Sequence, residues 1–253
     1  MADFEVKIAS TPSEIEKAQQ LRFEVFNVEL NKGLKSSFER GLDVDEFDPY
    51  CDHLIVRELC SGDVVGTYRL LRGSQARQNI GFYSEKEFDL SRIKQLDGEL
   101  MELGRSCARK DFRDRALIPL MWEAITEQVR KHKVRYLFGC GSLYTTAALE
   151  VSSVYGLLKN KYFAPDPCRV SPVEECRFKG LIDIPVTDGQ ALFQKLPSLI
   201  KGYLRIGSLV CGPPALDVEF GTADFFLLLD FGAMKDDYLK RLGLDVKGHD
   251  APA

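Results

Sequence analysis

Charged side chains inside apolar segments are the residues of this sequence best suited to chemistry. Arg69 interrupts the apolar segment 64–72, and Glu102 and Arg105 interrupt the segment 100–108. A charge in a half-buried strand is costly unless an opposite charge pairs with it. Arginine binds carboxylates through two parallel hydrogen bonds, and a positioned carboxylate can accept a proton during a reaction. These residue types are therefore suited to binding an ionic substrate and to general base catalysis.

Matching charges occur in two earlier segments. An acidic loop carries Asp43, Asp45 and Asp48, and Arg22 and Phe26 are four residues apart in a segment whose apolar residues follow helical spacing. Residues four apart lie on one face of a helix. We expect the arginines and acids of all these segments to converge on one cleft. A network of ion pairs that only ties helix, loop and sheet together is the alternative.

A β-bulge is predicted at Gly104. Glu102 and Arg105 are an odd number of residues apart, so a regular strand would point them to opposite faces. A glycine inside a strand often marks a bulge, and the extra residue would turn Arg105 to the side of Glu102. The bulge would also free backbone N–H groups, which could bind a thioester and polarise its carbonyl group.

The elements that must position these residues alternate between strands and helices. Residue patterning predicts strands at 4–9, 53–59, 64–72, 100–108, 135–138, 218–220 and 224–229, a tight turn at 139–142, and helices from 12 onward and at 117–132, 145–158 and 196–206. This order predicts an α/β (α+β) fold in which a mixed, mostly antiparallel central sheet has helices on both faces. We expect one domain over residues 1–243 and a flexible tail over 244–253.

Composition argues against several classes of protein. The 253 residues have a formal net charge of −4, which does not favour nucleic-acid binding. No apolar run approaches the roughly 20 residues of a membrane-spanning helix, and the first residues lack the features of a secretory signal. Seven cysteines without a C-x-x-C pair, and three histidines, favour neither a disulfide framework nor a metal site. We therefore expect a cytoplasmic protein that binds no metal.

The order and spacing of the charged residues resemble the polar signature of acyl-homoserine lactone synthases, which have a GNAT fold and take acyl groups from acyl carrier protein. The matching positions are Arg22-x-x-x-Phe26, Asp43-x-Asp45-x-x-Asp48, Arg69 and Glu102-x-x-Arg105. These synthases carry a tryptophan between the first two motifs. It is absent here, because the only tryptophan is Trp122.

From residue 15 to residue 230 the chain is more similar to a sister group, the ornithine N-acyltransferases, also labelled haemolysin-like. The similarity rests on residues 21–26, 102–105, 120–122, 202–207, 212–217, 219–222 and 224–226. It implies transfer of a long-chain fatty-acyl group, with or without a 3-hydroxyl, from acyl carrier protein to the α-amine of an amino acid. L-ornithine is the acceptor that the resemblance favours, and the product would be a lyso-ornithine lipid.

Expected roles follow from this resemblance. Glu102, Arg69 and Arg105 would be catalytic, with Glu102 as the base that takes the amine proton directly or through water. Asp45 and Asp48 would hold the acceptor's amine or position the arginines. The full acceptor-binding set would be Arg22, Phe26, Asp43, Asp45 and Asp48. The acyl donor would lie against Gly104, Cys107, Arg109, Arg113, Arg115 and Ala116.

The donor site is predicted at the turn before the helix that begins near residue 117. Backbone N–H groups at a helix start bind phosphate, and GNAT enzymes place the donor's phosphates at this turn. The usual glycine-rich sequence is missing, which argues against coenzyme A, whereas Arg109, Lys110, Arg113 and Arg115 suit an acidic carrier protein. Acyl carrier protein and acyl-CoA both stay open as co-substrates, and no permanently bound cofactor is expected. A solvated charged turn is the alternative.

Two other functions fit parts of the sequence. An acyl-homoserine lactone synthase would consume S-adenosylmethionine, but the missing tryptophan and the longer C-terminal region count against it. A non-catalytic GNAT-like module that binds a partner or acts on a membrane is the second alternative, and the complete charged set counts against it. Expected partners are acyl carrier protein and a small amino acid, with peripheral contact to the inner membrane through a lipid product.

Overall fold

The structure, a computed structural model, describes residues 3–113 and 117–234. Within these residues the chain forms two compact units. The first contains residues 3–81, 101–113 and 117–134, and the second contains residues 82–100 and 135–234.

The strands in the described residues are β1 (Phe4–Ile8), β2 (Asp52–Glu58), β3 (Val64–Arg72), β4 (Phe88–Asp89), β5 (Glu99–Ala108), β6 (Val134–Leu143), β7 (Ser171–Pro172), β8 (Leu209–Val210), β9 (Ala215–Asp217) and β10 (Thr222–Asp230). The α-helices are α1 (Pro12–Phe23), α2 (Gly73–Gln78), α3 (Leu117–His132), α4 (Ala148–Tyr162), α5 (Gly189–Lys195) and α6 (Ser198–Arg205).

Strands of the first unit are antiparallel and run in the order β1-β2-β3-β5. The predicted strands 53–59 and 64–72 form β2 and β3, which pair as an antiparallel hairpin, and the N–H of Glu58 donates to the carbonyl of Asp63 at its turn. Every residue of β3 except the last is buried. Arg69 therefore lies in the interior, where only other protein groups can stabilise its charge.

The helix α1 begins at the predicted residue 12, and Thr11 caps it. Thr11 Oγ1 accepts a hydrogen bond from the backbone N–H of Glu14 at 3.3 Å, and Pro12 is the first helical residue. The reciprocal bond of the cap is displaced by one residue, because the Glu14 carboxylate accepts from the N–H of Ser10. The buried side of this helix carries Arg22, which is 0% exposed, into the interior.

Beyond α1 the chain winds as a π-helix over Glu24–Glu29. The N–H of Leu30 donates to the carbonyl of Val25, five residues back. The wider turn rotates the later residues away from α-helical spacing. Val28, which regular spacing after Val25 would bury, is therefore 64% exposed, while Asn27 is buried.

The second unit is built around β10, which pairs antiparallel with β6, β8 and β9. Its core includes Val151 and Leu158 of α4, Ile200 of α6 and Phe225 of β10, all buried in one apolar cluster. A separate two-stranded sheet joins β4 to β7.

Several predictions in the second unit are wrong. The helix predicted at 145–158 runs over Ala148–Tyr162, because the backbone is still extended at Ala147. Residues 139–142, predicted as a turn, continue β6 because they form a regular ladder with β10. The helix predicted at 196–206 begins at Ser198, and Pro197 is its cap, since proline has no N–H for an interior position. The strand predicted at 218–220 is the turn between β9 and β10.

Among the described residues, no helix has both the length and the apolar character needed to cross a bilayer. The single domain over residues 1–243 stays a prediction. The tail predicted at 244–253 lies outside the described residues.

Candidate active site

Arg22 of α1 pairs with two aspartates of the acidic loop. Its Nε and Nη2 atoms lie 2.7 and 2.5 Å from Oδ1 of Asp43. Its Nη1 and Nη2 atoms lie 2.8 and 3.1 Å from Oδ1 and Oδ2 of Asp48. The loop is held against α1 because the N–H of Asp43 donates to the carbonyl of Gln19 at 3.1 Å. The structure thus brings Arg22 and these aspartates together, as expected.

The other two arginines complete a closed arrangement. Arg69 Nη1 donates to Asp45 Oδ1 at 2.5 Å and to Asp48 Oδ1 at 3.1 Å. Arg105 donates through Nε to Asp43 Oδ1 at 3.1 Å and through Nη2 to Asp45 Oδ2 at 3.0 Å. Each arginine therefore bridges two aspartates, and each aspartate bridges two arginines. We call this set the arginine–aspartate ring: Arg22, Asp48, Arg69, Asp45, Arg105 and Asp43.

The predicted bulge is present in β5. Thr67 pairs with Cys107 and Arg69 pairs with Gly104, so two steps along β3 match three steps along β5. The left-handed residue is Arg105, with a φ of 48°, rather than the glycine before it. This conformation is unfavourable for a residue with a side chain. Here it directs the guanidinium into the ring, whose ion pairs offset the strain.

Glu102 lies close to the ring. It is 4% exposed and pairs with Leu71 in the ladder of β3 and β5, two positions from Arg69. Alternate residues of a strand share a face, so Glu102 and Arg69 project to the same side of the sheet. Burial raises the pKa of the neighbouring Cys51 thiol to about 12, and the charges of Arg69, Asp48 and Glu102 all act on that thiol.

The arginines set the protonation of two ring carboxylates. Burial raises the pKa of Asp48, but hydrogen bonding and charge from Arg22, with the charge of Arg69, outweigh burial and hold that pKa well below its usual range. Burial also raises the pKa of Asp45, but the charges of Arg69 and Arg105 hold it below its usual value. Both carboxylates are therefore ionised at neutral pH.

The ring has an inner and an outer side. The side chains of Arg22 and Asp43 are 1% and 0% exposed, whereas those of Arg105 and Asp45 are 8% and 10% exposed. The contact between Arg105 and Asp45 is thus the part of the ring nearest solvent. Asp45 contacts Arg69 and Arg105 and is also the most exposed of the three ring aspartates, so both of its expected roles stay predictions.

Cys107 lies in the apolar core of the first unit, and Phe26 is partly buried against that core. Cys107 is buried in a cluster that includes Leu21, Val25 and Ile55, and Phe26 packs against that cluster. Burial raises the pKa of the Cys107 thiol to about 12. The thiol is therefore protonated at neutral pH, which suits a packing role beside the bulge better than a nucleophilic one.

Two arginines of the predicted donor turn already have partners. Arg109 contacts Asp111 at 2.9 Å and Asp63 at 3.1 Å. Arg113 forms a bidentate pair with Glu29 and donates to the carbonyl of Ala108 at 2.9 Å. These two arginines therefore do not converge on one open anion site. Arg115 and Ala116, also predicted to bind the donor, lie outside the described residues.

His53 was missed by the sequence reasoning. It is 2% exposed, and β2 places it directly opposite Arg69 in the ladder with β3. Its Nε2 lies 3.1 Å from the backbone carbonyl oxygen of Asp48. The predicted strands did not give this register, because pairing their ends at 59 and 64 would set 53 opposite 70. In the structure Arg57 pairs with Val64, and a register shift between Val56 and Arg57 brings His53 opposite Arg69.

One group in the second unit has the residue types of a metal site. Glu87, Cys140 and Asp224 each place a ligand atom within 4.8 Å of the others, and carboxylates and thiolates bind metal ions. Asp224 accepts hydrogen bonds from Ser142 and Thr222 at 3.2 and 2.7 Å. The expectation that the protein binds no metal stays a prediction.

Comparison with known proteins gives both family and fold matches. A family model described as an acetyltransferase (GNAT) domain matches residues 21–123. An L-ornithine N(alpha)-acyltransferase from Brucella abortus (strain 2308) is 33% identical over 259 residues, which cover 97% of this chain and 90% of that protein. One from Rhodobacter capsulatus is 33% identical over 241 residues, covering 93% of each chain. One from Rhizobium meliloti is 32% identical and covers 100% of this chain and 88% of its own.

Two solved structures share the fold across nearly the whole chain. The coenzyme A-dependent acyl-homoserine lactone synthase BjaI has a TM-score of 0.51 and 14% identity, covering 96% of this chain and 90% of its own. TofI, in a ternary complex with an inhibitor and MTA, has a TM-score of 0.51 and 17% identity, covering 96% and 97%. The predicted GNAT fold, with its mixed and mostly antiparallel sheet, is confirmed.

Proposed function

The chain belongs to the family of L-ornithine N(alpha)-acyltransferases and is an acyltransferase, and from this premise we propose that it transfers a long-chain fatty-acyl group from acyl carrier protein to the α-amine of L-ornithine. The acyl group carries a 3-hydroxyl or lacks one, and the product is a lyso-ornithine lipid. We place the reaction in the cytoplasm, the compartment that the cysteine pattern favours.

One observation carries this proposal. Glu102 is a buried carboxyl group on the same side of the sheet as Arg69, and the ring fixes Arg69 through two aspartates. The bulge beside Gly104 lies on the same strand. A base, a rigid polar framework and an irregular stretch of strand are the parts that an acyl transfer from a thioester to an amine requires.

The acceptor's α-amine must lose a proton for the reaction to proceed. It is mostly protonated at neutral pH, because the pKa of an α-amino group lies above 7. The amine nitrogen attacks the thioester carbonyl carbon, the C–N bond forms and the C–S bond breaks. Glu102 takes the amine proton directly or through water, and the departing thiolate takes up a proton. A positioned base contributes on the order of 10² to 10⁴-fold, and alignment of the reactants contributes more.

The outer side of the ring is the part proposed to meet the acceptor. Asp45 and Arg105 offer opposite charges 3.0 Å apart, which match the ammonium and carboxylate of an amino acid. Arg22, Asp43 and Asp48 form the inner side and keep the outer pair in place. This division assigns contact with the acceptor to two residues and positioning to the others.

The donor is proposed to enter beside the bulge. An alanine Cβ added at Gly104 would meet no heavy atom within 4 Å, so the backbone there is open to an approaching group. A backbone N–H near the bulge would then polarise the thioester carbonyl. Arg109 and Arg113 now pair with Asp111 and Glu29. When an acidic carrier protein docks, these arginines would pair with its carboxylates instead.

The test is a reaction panel with purified protein. Palmitoyl carrier protein, its 3-hydroxy form, palmitoyl-CoA and acetyl-CoA are each supplied with L-ornithine, L-lysine, L-norvaline or S-adenosylmethionine, and products are identified by mass spectrometry. We expect an amide of ornithine at the α-nitrogen, formed fastest from the long-chain carrier-protein donors. Faster transfer from acetyl-CoA would contradict the lipid assignment, and an acyl-homoserine lactone from S-adenosylmethionine would contradict the acceptor.

A further inference from the structure

We propose that His53 is a positioning residue of this site: it holds the backbone of Asp48 so that the Asp48 carboxylate stays between Arg22 and Arg69. The inference rests on the proposed function and adds a residue that belongs neither to the ring nor to the expected catalytic set.

The contact geometry fixes which ring nitrogen does this. The Nε2 atom of His53 lies 3.1 Å from the carbonyl oxygen of Asp48 and 3.9 Å from its Oδ1. A carbonyl oxygen only accepts hydrogen bonds, so Nε2 must carry the hydrogen and donate it. The bond is therefore to the backbone, while the carboxylate accepts from Arg22, from Arg69 and from the N–H of Asp45 at 3.0 Å.

The surroundings of His53 favour its neutral form. Burial lowers the pKa of His53 and outweighs the backbone bond and the negative charge of Asp48, and the charges of Arg22 on α1 and Arg69 on β3 lower it further. A neutral ring with hydrogen on Nε2 leaves Nδ1 as a bare acceptor. Nδ1 is buried and has no hydrogen-bond partner among the described residues. Of the two ring nitrogens, only Nε2 therefore connects the His53 side chain to the site.

The backbone position of Asp48 matters to the site because its carboxylate bonds two arginines. Asp48 is the aspartate that links Arg22 to Arg69, and thereby α1 to β3. Its carbonyl also accepts from the N–H of Cys51, at the longer distance of 3.3 Å. Loss of the His53 donor would leave this carbonyl with the longer Cys51 bond, while the N–H of Asp48 keeps its own bond to the carbonyl of Asp45 at 3.3 Å. A shift of Asp48 would then move Arg69, which shares its face of the sheet with Glu102.

A matched pair of amide variants tests the proposal. In His53→Gln the amide nitrogen can take the place of Nε2, whereas in His53→Asn the amide takes the place of Nδ1 and no donor reaches Asp48. We expect His53→Gln to keep kcat within about threefold of wild type and His53→Asn to lose about tenfold, the scale of one hydrogen bond. Melting temperatures should fall similarly in both variants, because each replaces a buried imidazole by an amide.

Other outcomes overturn the proposal. Activity kept by His53→Asn but lost by His53→Gln would make Nδ1 the working atom, and equal kcat values would remove any positioning role. If neither variant folds, nitrogen NMR of the wild-type protein shows which ring nitrogen of His53 carries the hydrogen at neutral pH. Hydrogen on Nε2 supports the proposed bond, and hydrogen on Nδ1 contradicts it. Wild-type turnover in the same assay separates these results from a failure of the proposed function.

Discussion

The guanidinium of Arg22 holds the carboxylate of Asp48 through two parallel contacts, Nη1 to Oδ1 at 2.8 Å and Nη2 to Oδ2 at 3.1 Å. Such a fork-to-fork pair fixes orientation as well as distance. Because the ring is closed, no member can turn without breaking contacts on two sides. We therefore expect the ring to act as one rigid unit in both stability and catalysis.

Removal of Arg22 should be strongly destabilising. Arg22→Met removes one of the two arginines that neutralise the buried carboxylates of Asp43 and Asp48. Breaking a buried pair from one side costs about 3–5 kcal/mol. Urea unfolding measures the loss. Arg57→Met is the matched control, because Arg57 pairs with Glu5 where both side chains are 38% exposed, and a surface pair is worth about 1 kcal/mol or less. An equal loss of unfolding free energy in the two variants would show that the ring stabilises the fold no more than a surface ion pair does.

Stability should fall in acid because of Asp48 and Asp45. Their pKa values are lower in the folded protein than the ordinary value of about 3.9 in the unfolded chain. The stability that they contribute is therefore fully present above the unfolded pKa and is lost as pH falls through the folded pKa. Urea unfolding between about pH 6 and about pH 3 should show a decline that is shallower in Asp48→Asn. An unchanged slope in that variant would assign the acid sensitivity to other groups.

Gly104 should tolerate a methyl group structurally but not functionally. No heavy atom lies within 4 Å of an added Cβ, so Gly104→Ala should leave the melting temperature nearly unchanged. If the donor passes this open backbone, KM for the acyl donor should rise several-fold while KM for the acceptor stays constant. Gly202→Ala, which also points into open space, is the control for the methyl group itself. An unchanged donor KM would move the donor site elsewhere.

Much of the site could be predicted from charge placement alone. A buried arginine in a strand needs a carboxylate to pair with, and the acidic loop carries three. The meeting of Arg22, Arg69 and Arg105 with these aspartates therefore followed from the cost of burying charge. The bulge followed from the odd spacing of Glu102 and Arg105. The closure of the ring did not follow, because it depends on which oxygen each guanidinium reaches.

Other features depended on context that local patterns do not contain. The π-helical turn after Phe23 changes the helical period, so spacing misplaced Val28. Residues 139–142 have two glycines and resemble a turn, but their ladder with β10 makes them a strand. Arg109 and Arg113 were expected to face a ligand, yet Asp63 and Glu29, distant in sequence, occupy them. Tertiary partners decided the last two of these cases.

The central claim is that Glu102 accepts the amine proton in a site held by the ring, and single-turnover acyl transfer by Glu102→Gln tests it most directly. With long-chain acyl carrier protein and L-ornithine both saturating, the transfer rate should fall about 10² to 10⁴-fold. KM for the acceptor should change little, and Glu16→Gln, an exposed position on α1, should behave as wild type. A rate for Glu102→Gln within a few-fold of wild type would contradict the account.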